Sequence, residues 1–294
     1  MTLEQLRVFI AVARHQHVTR AAAELGLAQS AVSSAIAALE ARHKIKLLHR
    51  AGRGIALTEA GALFLDEARA VLARAETAEQ RLSDLGGLKR GRLRLRASQT
   101  IAGYWLPRHL ADFRCAYPGI SIELNIGNTS EAAAAVLDGS AELGFAEGLV
   151  DDPQLSVTEV ARDRMVLVVG RDHPWAVRKR VAITDFASSD WVLREEGSGT
   201  RAMLEAALAT AGVTLPPERI AMSLPSNEAV RGAVAAGLGA SVLSGSVVAA
   251  MLEAEILAAP RADLPDRAFV ALTHTERYLS AAARAFLALI SKKR

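Results

Sequence analysis

Two groups of residues in this chain have the types and spacing to do chemistry. The first lies near the amino end, where Gln29, Ser30, Ser33 and Ser34 share one face of a helical pattern running from Ala28 to His43. Val32, Ile36 and Leu39 recur on the opposite face, so the helix has a side to bury and a side to present. The presented side is small and made of amide and hydroxyl groups. Such a surface suits the major groove of duplex DNA, where base edges offer patterned donors and acceptors. Thr19 and Arg20 precede it, in a short helical segment ending at Leu25 that Thr19 is expected to cap. Gly26 and Leu27 make the turn between the two helices, which together describe a helix-turn-helix. Arg50 and Arg53 follow at the tip of an expected hairpin wing, placed to touch phosphates.

The second group is spread over four loop-to-helix junctions: Ser98-Gln99-Thr100, Asn128-Thr129-Ser130, Gly197-Ser198-Gly199-Thr200 and Ser226-Asn227. Each supplies hydroxyls or amides where a helix start leaves backbone N–H groups unpaired. Helix N-termini favour anions, and in parallel α/β sheets such junctions line the ligand-binding edge. The chemistry expected is capture of a small oxyanion or a carboxylate. Plain helix capping is the competing reading of any single junction. Ser198 stands apart because Gly197 and Gly199 allow a ligand close to the backbone. Arg201 either adds charge there or lies on the helix surface.

The elements that must hold these groups are legible from periodicity. Leu3–Arg14 is an amphipathic helix with Leu6, Phe9, Ile10 and Ala13 inward, completing a three-helix core. Thr58 caps a long helix expected to run to about Leu85 and to stop at Gly86-Gly87. Its apolar stripe, Leu63, Phe64, Val71, Leu72, Leu82 and Leu85, is more than a small winged domain can cover, so pairing with a second copy is expected. From Gly91 onward strands alternate with helices. Strands are expected at 92–97, 120–126, 142–146, 164–169 and 191–193, and helices at 100–116, 130–137, 200–211, 228–236 and 280–291, in largely parallel sheets.

Charge follows the same division. Residues 1–90 hold 13 Lys and Arg against 9 Asp and Glu, and the remainder holds 22 against 23, so the basic excess sits with the helix-turn-helix. The one cysteine, Cys115, allows no intramolecular disulfide; it reads as a partly buried small residue, with a redox sensor as the alternative. Charged residues interrupt the first apolar positions as no secretion signal would, and no run of about 18 apolar residues occurs. The expected location is cytoplasmic, with no membrane role. No phosphate-binding G-x-x-x-x-G-K-[ST] loop, G-x-S-x-G elbow, H-E-x-x-H pair or cysteine cluster is present, so no catalytic residues, metal or cofactor are assigned.

Leu3, Leu6 and Phe9, then Thr19-Arg20-Ala21-Ala22 with Leu25, Gln29 to Ser33, Ile36, Leu39-Glu40 and Leu57 to Gly61 follow one another in a specific order. In that order the chain resembles the LysR-type transcriptional regulators over essentially its full length. Tyr117-Pro118-Gly119 and Gly237-Leu238-Gly239 fit the same family. The resemblance implies a fold of α plus α/β class. It would comprise an N-terminal winged helix-turn-helix (1–57), a long linker or dimerisation helix with its hinge (58–90), and a two-lobed α/β effector domain (91–294) like type II periplasmic binding proteins. Lobe 1 would span about 91–162 and 268–294, and lobe 2 about 163–267, with crossings near Arg162 and Arg267. It further implies a homodimer or homotetramer, binding to double-stranded DNA, contact with RNA polymerase, and a small-molecule effector.

By position, Gln29, Ser30, Ser33 and Ser34 match the family's base-reading helix and Arg50 and Arg53 its wing. Ser98, Thr100, Ser198 and Thr200 match its effector cleft. Many relatives carry arginine where this chain has Ser34 and serine where it has Ala28, which shifts base reading toward Gln29, the wing and DNA shape. Ile126 to Thr129 and Glu195 to Thr200 are similar to the family's sulfur-metabolism branch, which implies an oxyanion such as sulfite or sulfate. The alternative function is an enzyme or a solute-binding module using the same two-lobed fold without DNA regulation.

Overall fold

The computed structural model describes residues 1–52, 54–85 and 90–292. The chain divides into one unit centred on Met1–Leu85 and a second formed by Gly86–Leu137 with Ala141–Arg294. Arg53 and the Gly86-Gly87 stop signal lie outside the described residues.

In the first unit, α1 (Leu3–His15) begins with a reciprocal cap in which the Thr2 hydroxyl accepts from Gln5 N and the Gln5 side chain accepts from Thr2 N. It is followed by α2 (Val18–Leu25), α3 (Gln29–His43), the hairpin β1 (Leu48–Ala51) and β2 (Gly54–Leu57), and α4 (Glu59–Leu85). Val8, Val12, Ala21, Ala22 and Val32 close the core between the first three helices. Thr19 does not cap α2: the helix starts one residue earlier, at Val18, with His17 in the cap position. The Thr19 hydroxyl instead donates to Gln29 Oε1 at 3.3 Å and links α2 to the start of α3.

Thr58 does cap α4, its hydroxyl accepting from Gly61 N at 2.9 Å. Gly61 is required there, because a Cβ would fall 1.9 Å from the Leu47 carbonyl oxygen. The expected single stripe of α4 is split. Phe64 and Leu72 pack with Phe9, Leu6 and Leu39, whereas Leu63 and Leu82 stay about 70% exposed (70% and 71%) and Val71 is also exposed. The Leu85 side chain lies outside the described residues.

The second unit has two lobes. The first contains β3 (Gly91–Ser98), α5 (Leu106–Ala116), β4 (Ile120–Gly127), α6 (Thr129–Asp138), β5 (Leu143–Glu147) and β6 (Leu155–Asp163). The second contains β7 (Met165–Gly170), β8 (Trp191–Arg194), α7 (Gly199–Thr210), β9 (Ile220–Leu224), α8 (Asn227–Ala235), β10 (Ser241–Ser244), α9 (Gly245–Glu253) and β11 (Leu257–Ala258). The chain then returns to the first lobe through β12 (Arg267–His274) and α10 (Ala281–Ser291).

The sheets are mixed rather than largely parallel. In the order β4-β3-β5-β12-β6, the first three strands are parallel, but β12 runs antiparallel to both β5 and β6. The second lobe pairs β8 and β9 in parallel, yet β10-β7-β11 is antiparallel throughout. Periodicity misses β12 because Phe269 to Leu272 are buried without alternation, and β6 because an extra residue, Val160, breaks its pairing with β12. The helix expected from Thr100 opens with a π-helical turn, Ile101–Trp105, before α5. Cys115 is exposed on α5, not partly buried.

Both passages between lobes leave the first sheet at neighbouring positions, since Asp163 at the end of β6 is the register partner of Arg267 at the start of β12. That pairing brings the two connecting segments together and sets the geometry of the cleft beside them.

Candidate DNA-reading surface and effector cleft

The first candidate surface is the face of α3. Gln29, Ser30, Ser33 and Ser34 are all exposed, while Val32 and Leu39 on the other side are fully buried. Arg20 and Arg50 are exposed as well. The hairpin is fixed relative to this face by Glu40, whose buried carboxylate accepts from Leu47 N at 2.9 Å, Leu48 N at 3.2 Å and Lys46 Nζ at 2.5 Å. Burial alone would raise the pKa of Glu40, but those three donors hold it below the usual carboxylate value. Ile55 N donates to the Gln16 carbonyl at 2.9 Å, tying the other strand of the hairpin to the end of α1. The site therefore has rigid footing and a solvated polar face.

The second candidate is the cleft between the lobes of the second unit, where the starts of four helical segments meet. Gln99 Nε2 donates to the Pro225 carbonyl at 2.8 Å, and Gln99 Oε1 accepts from Asn227 N at 3.0 Å. Thr100 Oγ1 accepts from Asn227 Nδ2 at 3.1 Å. Asn128 Nδ2 donates to Glu195 Oε1 at 3.3 Å, and Ser130 N donates to the Gly197 carbonyl at 3.2 Å. Thr129 Oγ1 donates to the Glu147 carbonyl at 3.1 Å.

Ser98, Thr100, Thr129, Ser198, Gly199 and Thr200 are all buried at this junction. Ser198 makes no cap bond to its own helix. Ser226 does, accepting from Ala229 N at 2.9 Å, so its hydroxyl serves α8. Arg201 stays at the rim, its Nε donating to Glu205 at 2.7 Å.

Sequence reasoning misses the charged residues that join these junctions. Arg267 is fully buried. Its Nε donates to Asp163 at 2.8 Å, and its Nη1 and Nη2 donate to Thr200 Oγ1 at 2.9 Å and Thr100 Oγ1 at 3.5 Å. One guanidinium thus holds a threonine from each lobe. Asp163 also accepts from Ser244 Oγ at 2.7 Å. Arg194, likewise buried, donates to Asn227 Oδ1 and pairs with both carboxylate oxygens of Glu195, at 2.7 and 2.8 Å. Burial would raise Glu195, but hydrogen bonding and charge from Arg194, with help from Asn128, bring its pKa below the usual value. The signal available in the sequence was a charged residue at the end of an apolar strand, as in Leu143 to Glu147 and in Arg267 before Phe269 to Leu272.

Residues 86–294 match the family described as the LysR substrate binding domain, and residues 3–62 match the bacterial regulatory helix-turn-helix protein family, lysR type. The uncharacterized HTH-type transcriptional regulator YeiE of Escherichia coli K12 is 36% identical over 98% of this chain and 96% of its own length. Full-length CbnR, solved with its target DNA, superposes with a TM-score of 0.71 over all of both chains at 24% identity, a likeness of fold. The regulatory domain of Synechocystis PCC6803 CcmR, solved with 2-PG, has a TM-score of 0.64 and 28% identity, covering 69% of this chain and 97% of that one. Among the described residues, no single helix is long and apolar enough to cross a membrane.

Proposed function

The chain belongs to the LysR family of DNA-binding transcriptional regulators, not to an enzyme family, and on that premise we propose that α3 and the hairpin read operator DNA while the interlobe cleft senses a small anionic metabolite. The observation that carries the second half is the meeting of four helix starts around buried threonine and serine hydroxyls. Helix starts carry partial positive charge and free N–H donors, so an oxyanion is the ligand they favour. The 2-PG in the CcmR domain is an anion of the same general kind.

For the DNA half, Gln29 with Ser30 and Ser33 reads base edges, and Thr19, Arg20, Ser34, Arg50 and Arg53 support register and phosphate contact. Gln99, Asn128 and Ser226 hold the edge of the cleft, with Ser98, Thr100, Thr129, Ser198, Gly199 and Thr200 nearest the effector. Leu63, Val71 and Leu82 on α4 are exposed apolar residues that a second copy of α4 would cover, giving a homodimer or a pair of them. The site of action is the cytoplasm, and no cofactor beyond the effector is needed. The boundaries proposed are 1–57 for DNA binding, 58–90 for the linker helix and 91–294 for sensing.

The mechanism is a population shift. The lobes are held by bonds that cross the cleft from Gln99 to Pro225, Thr100 to Asn227, Asn128 to Glu195 and Arg267 to Thr200, and a ligand that favours one lobe arrangement shifts the equilibrium toward it. Replacing both Ser198 and Thr200 by alanine should weaken the effector response and leave DNA affinity largely intact. Undiminished ligand binding by that double variant in calorimetry would show the effector to lie elsewhere.

A further inference from the structure

The side chains that α3 presents to solvent are not equally free. Among the described residues, the hydroxyls of Ser30, Ser33 and Ser34 have no hydrogen-bond partner, so each can turn to donate or to accept. Gln29 differs. Its Oε1 accepts from the Thr19 hydroxyl of α2 at 3.3 Å, and its Nε2 has no partner among the described residues. Thr19 is available for this bond because His17 takes the cap position of α2.

Both ends of the bond rest on fixed backbone. Gly26 sits at φ 65°, in the left-handed region, and Leu27 N donates to the Ala22 carbonyl at 2.9 Å, which closes the turn between the helices. Ala31 N and Val32 N donate to the Ala28 carbonyl at 3.0 and 3.2 Å and seat Gln29 at the first position of α3. Ala21, Ala22 and Val32 share one core, which holds the two helices together.

A glutamine carries an acceptor oxygen and a donor nitrogen at the same end, and it reads a base by whichever of the two faces it. With Oε1 tied to α2, the donor nitrogen is the end left for a partner. In the major groove guanine shows two acceptors, N7 and O6, whereas cytosine shows the N4 donor. A donor held against a donor repels, so the tie sets preference as well as position. An amide already oriented also loses less freedom on binding.

We propose that Thr19 is a positioning residue for base reading: its hydroxyl holds the Gln29 amide with Nε2 as the free end, so that Gln29 selects guanine and rejects cytosine at the position it meets. Thr19 sets this preference through Gln29, not by touching a base. This inference rests on the reading of α3 as the base-reading helix.

The test is selection by the full-length protein from a pool of randomised duplexes, with bound and unbound fractions sequenced for the wild type, Gln29→Ala, Thr19→Val and Thr19→Ser. The position Gln29 reads is the one whose preference Gln29→Ala flattens. There the wild type should favour guanine over cytosine by at least about tenfold. Thr19→Val keeps the shape of the side chain and deletes the hydroxyl, and should narrow that ratio to within about threefold, whereas Thr19→Ser keeps a hydroxyl and should hold it at about tenfold or more. Thr19→Ala, a stronger helix former, should give the same narrowing and serves should Thr19→Val fail to fold. A role in packing or phosphate contact alone would lower affinity without altering the ratio at that one position. An unchanged ratio in the hydroxyl-free variants, an equal loss in Thr19→Ser, or a wild-type preference for cytosine would overturn the role given to Thr19 and leave α3 as the reading helix. No selected sequence in the wild type, or no position flattened by Gln29→Ala, would overturn base reading by Gln29 as well.

Discussion

The face of α3 and the floor of the interlobe cleft are both polar surfaces built on helix starts, and they handle their polar groups in opposite ways. On α3, Gln29, Ser30, Ser33 and Ser34 are solvated and cost little to keep waiting. In the cleft, Thr100, Thr200, Asn227 and Arg267 are desolvated and satisfy one another. A duplex approaching α3 displaces water. A ligand entering the cleft must exchange existing protein bonds for its own. The first surface is suited to affinity set by complementarity and salt, the second to coupling binding to lobe rearrangement.

The sharpest way to break this contrast is to remove Arg267. Arg267→Ala leaves Asp163 and Glu147 buried without their cation, which should destabilise the sensing unit by about 3–5 kcal/mol. Trp105, Trp175 and Trp191 are the only tryptophans and all lie in that unit, so their fluorescence in urea reports on it alone. An unchanged midpoint would mean that the cleft does not depend on the pair.

A smaller effect sharpens the other side. Glu40→Gln removes the charge that anchors Lys46, Leu47 and Leu48, which should cost the DNA-binding unit about 1–3 kcal/mol without moving the tryptophan transition. Because the folded pKa of Glu40 is depressed, its contribution is present above the ordinary glutamate value and is lost as pH falls through the lower folded value. Far-UV circular dichroism over an acid titration should show that loss in the wild type and not in Glu40→Gln.

The two surfaces also differ in how much of them can be seen in sequence. The α3 face is contiguous, so helical periodicity alone separates Val32 and Leu39 from Gln29 and Ser33, and Thr58 and Leu85 mark the ends of α4 as expected. Capping at Thr19 misleads because Val18 enters the helix first and the hydroxyl finds Gln29. The cleft is assembled from residues as far apart as Thr100 and Arg267. Junction hydroxyls betray some of it, but no local pattern pairs Arg267 with Asp163 or with Glu147. Those relations arise only when β12 inserts antiparallel between β5 and β6, a topology that alternation of strands and helices does not encode.

The central claim is that α3 reads sequence. Its most direct test is the ratio of affinities, by fluorescence anisotropy at physiological salt, for the duplex upstream of the protein's own gene and for an unrelated duplex of equal length. The account predicts a ratio of at least about 1,000 for the wild type. It also predicts that Gln29→Ala erodes this ratio by about 1–3 kcal/mol while the weak salt-sensitive binding persists. A ratio near one for the wild type, or an unaltered ratio in Gln29→Ala, would contradict it.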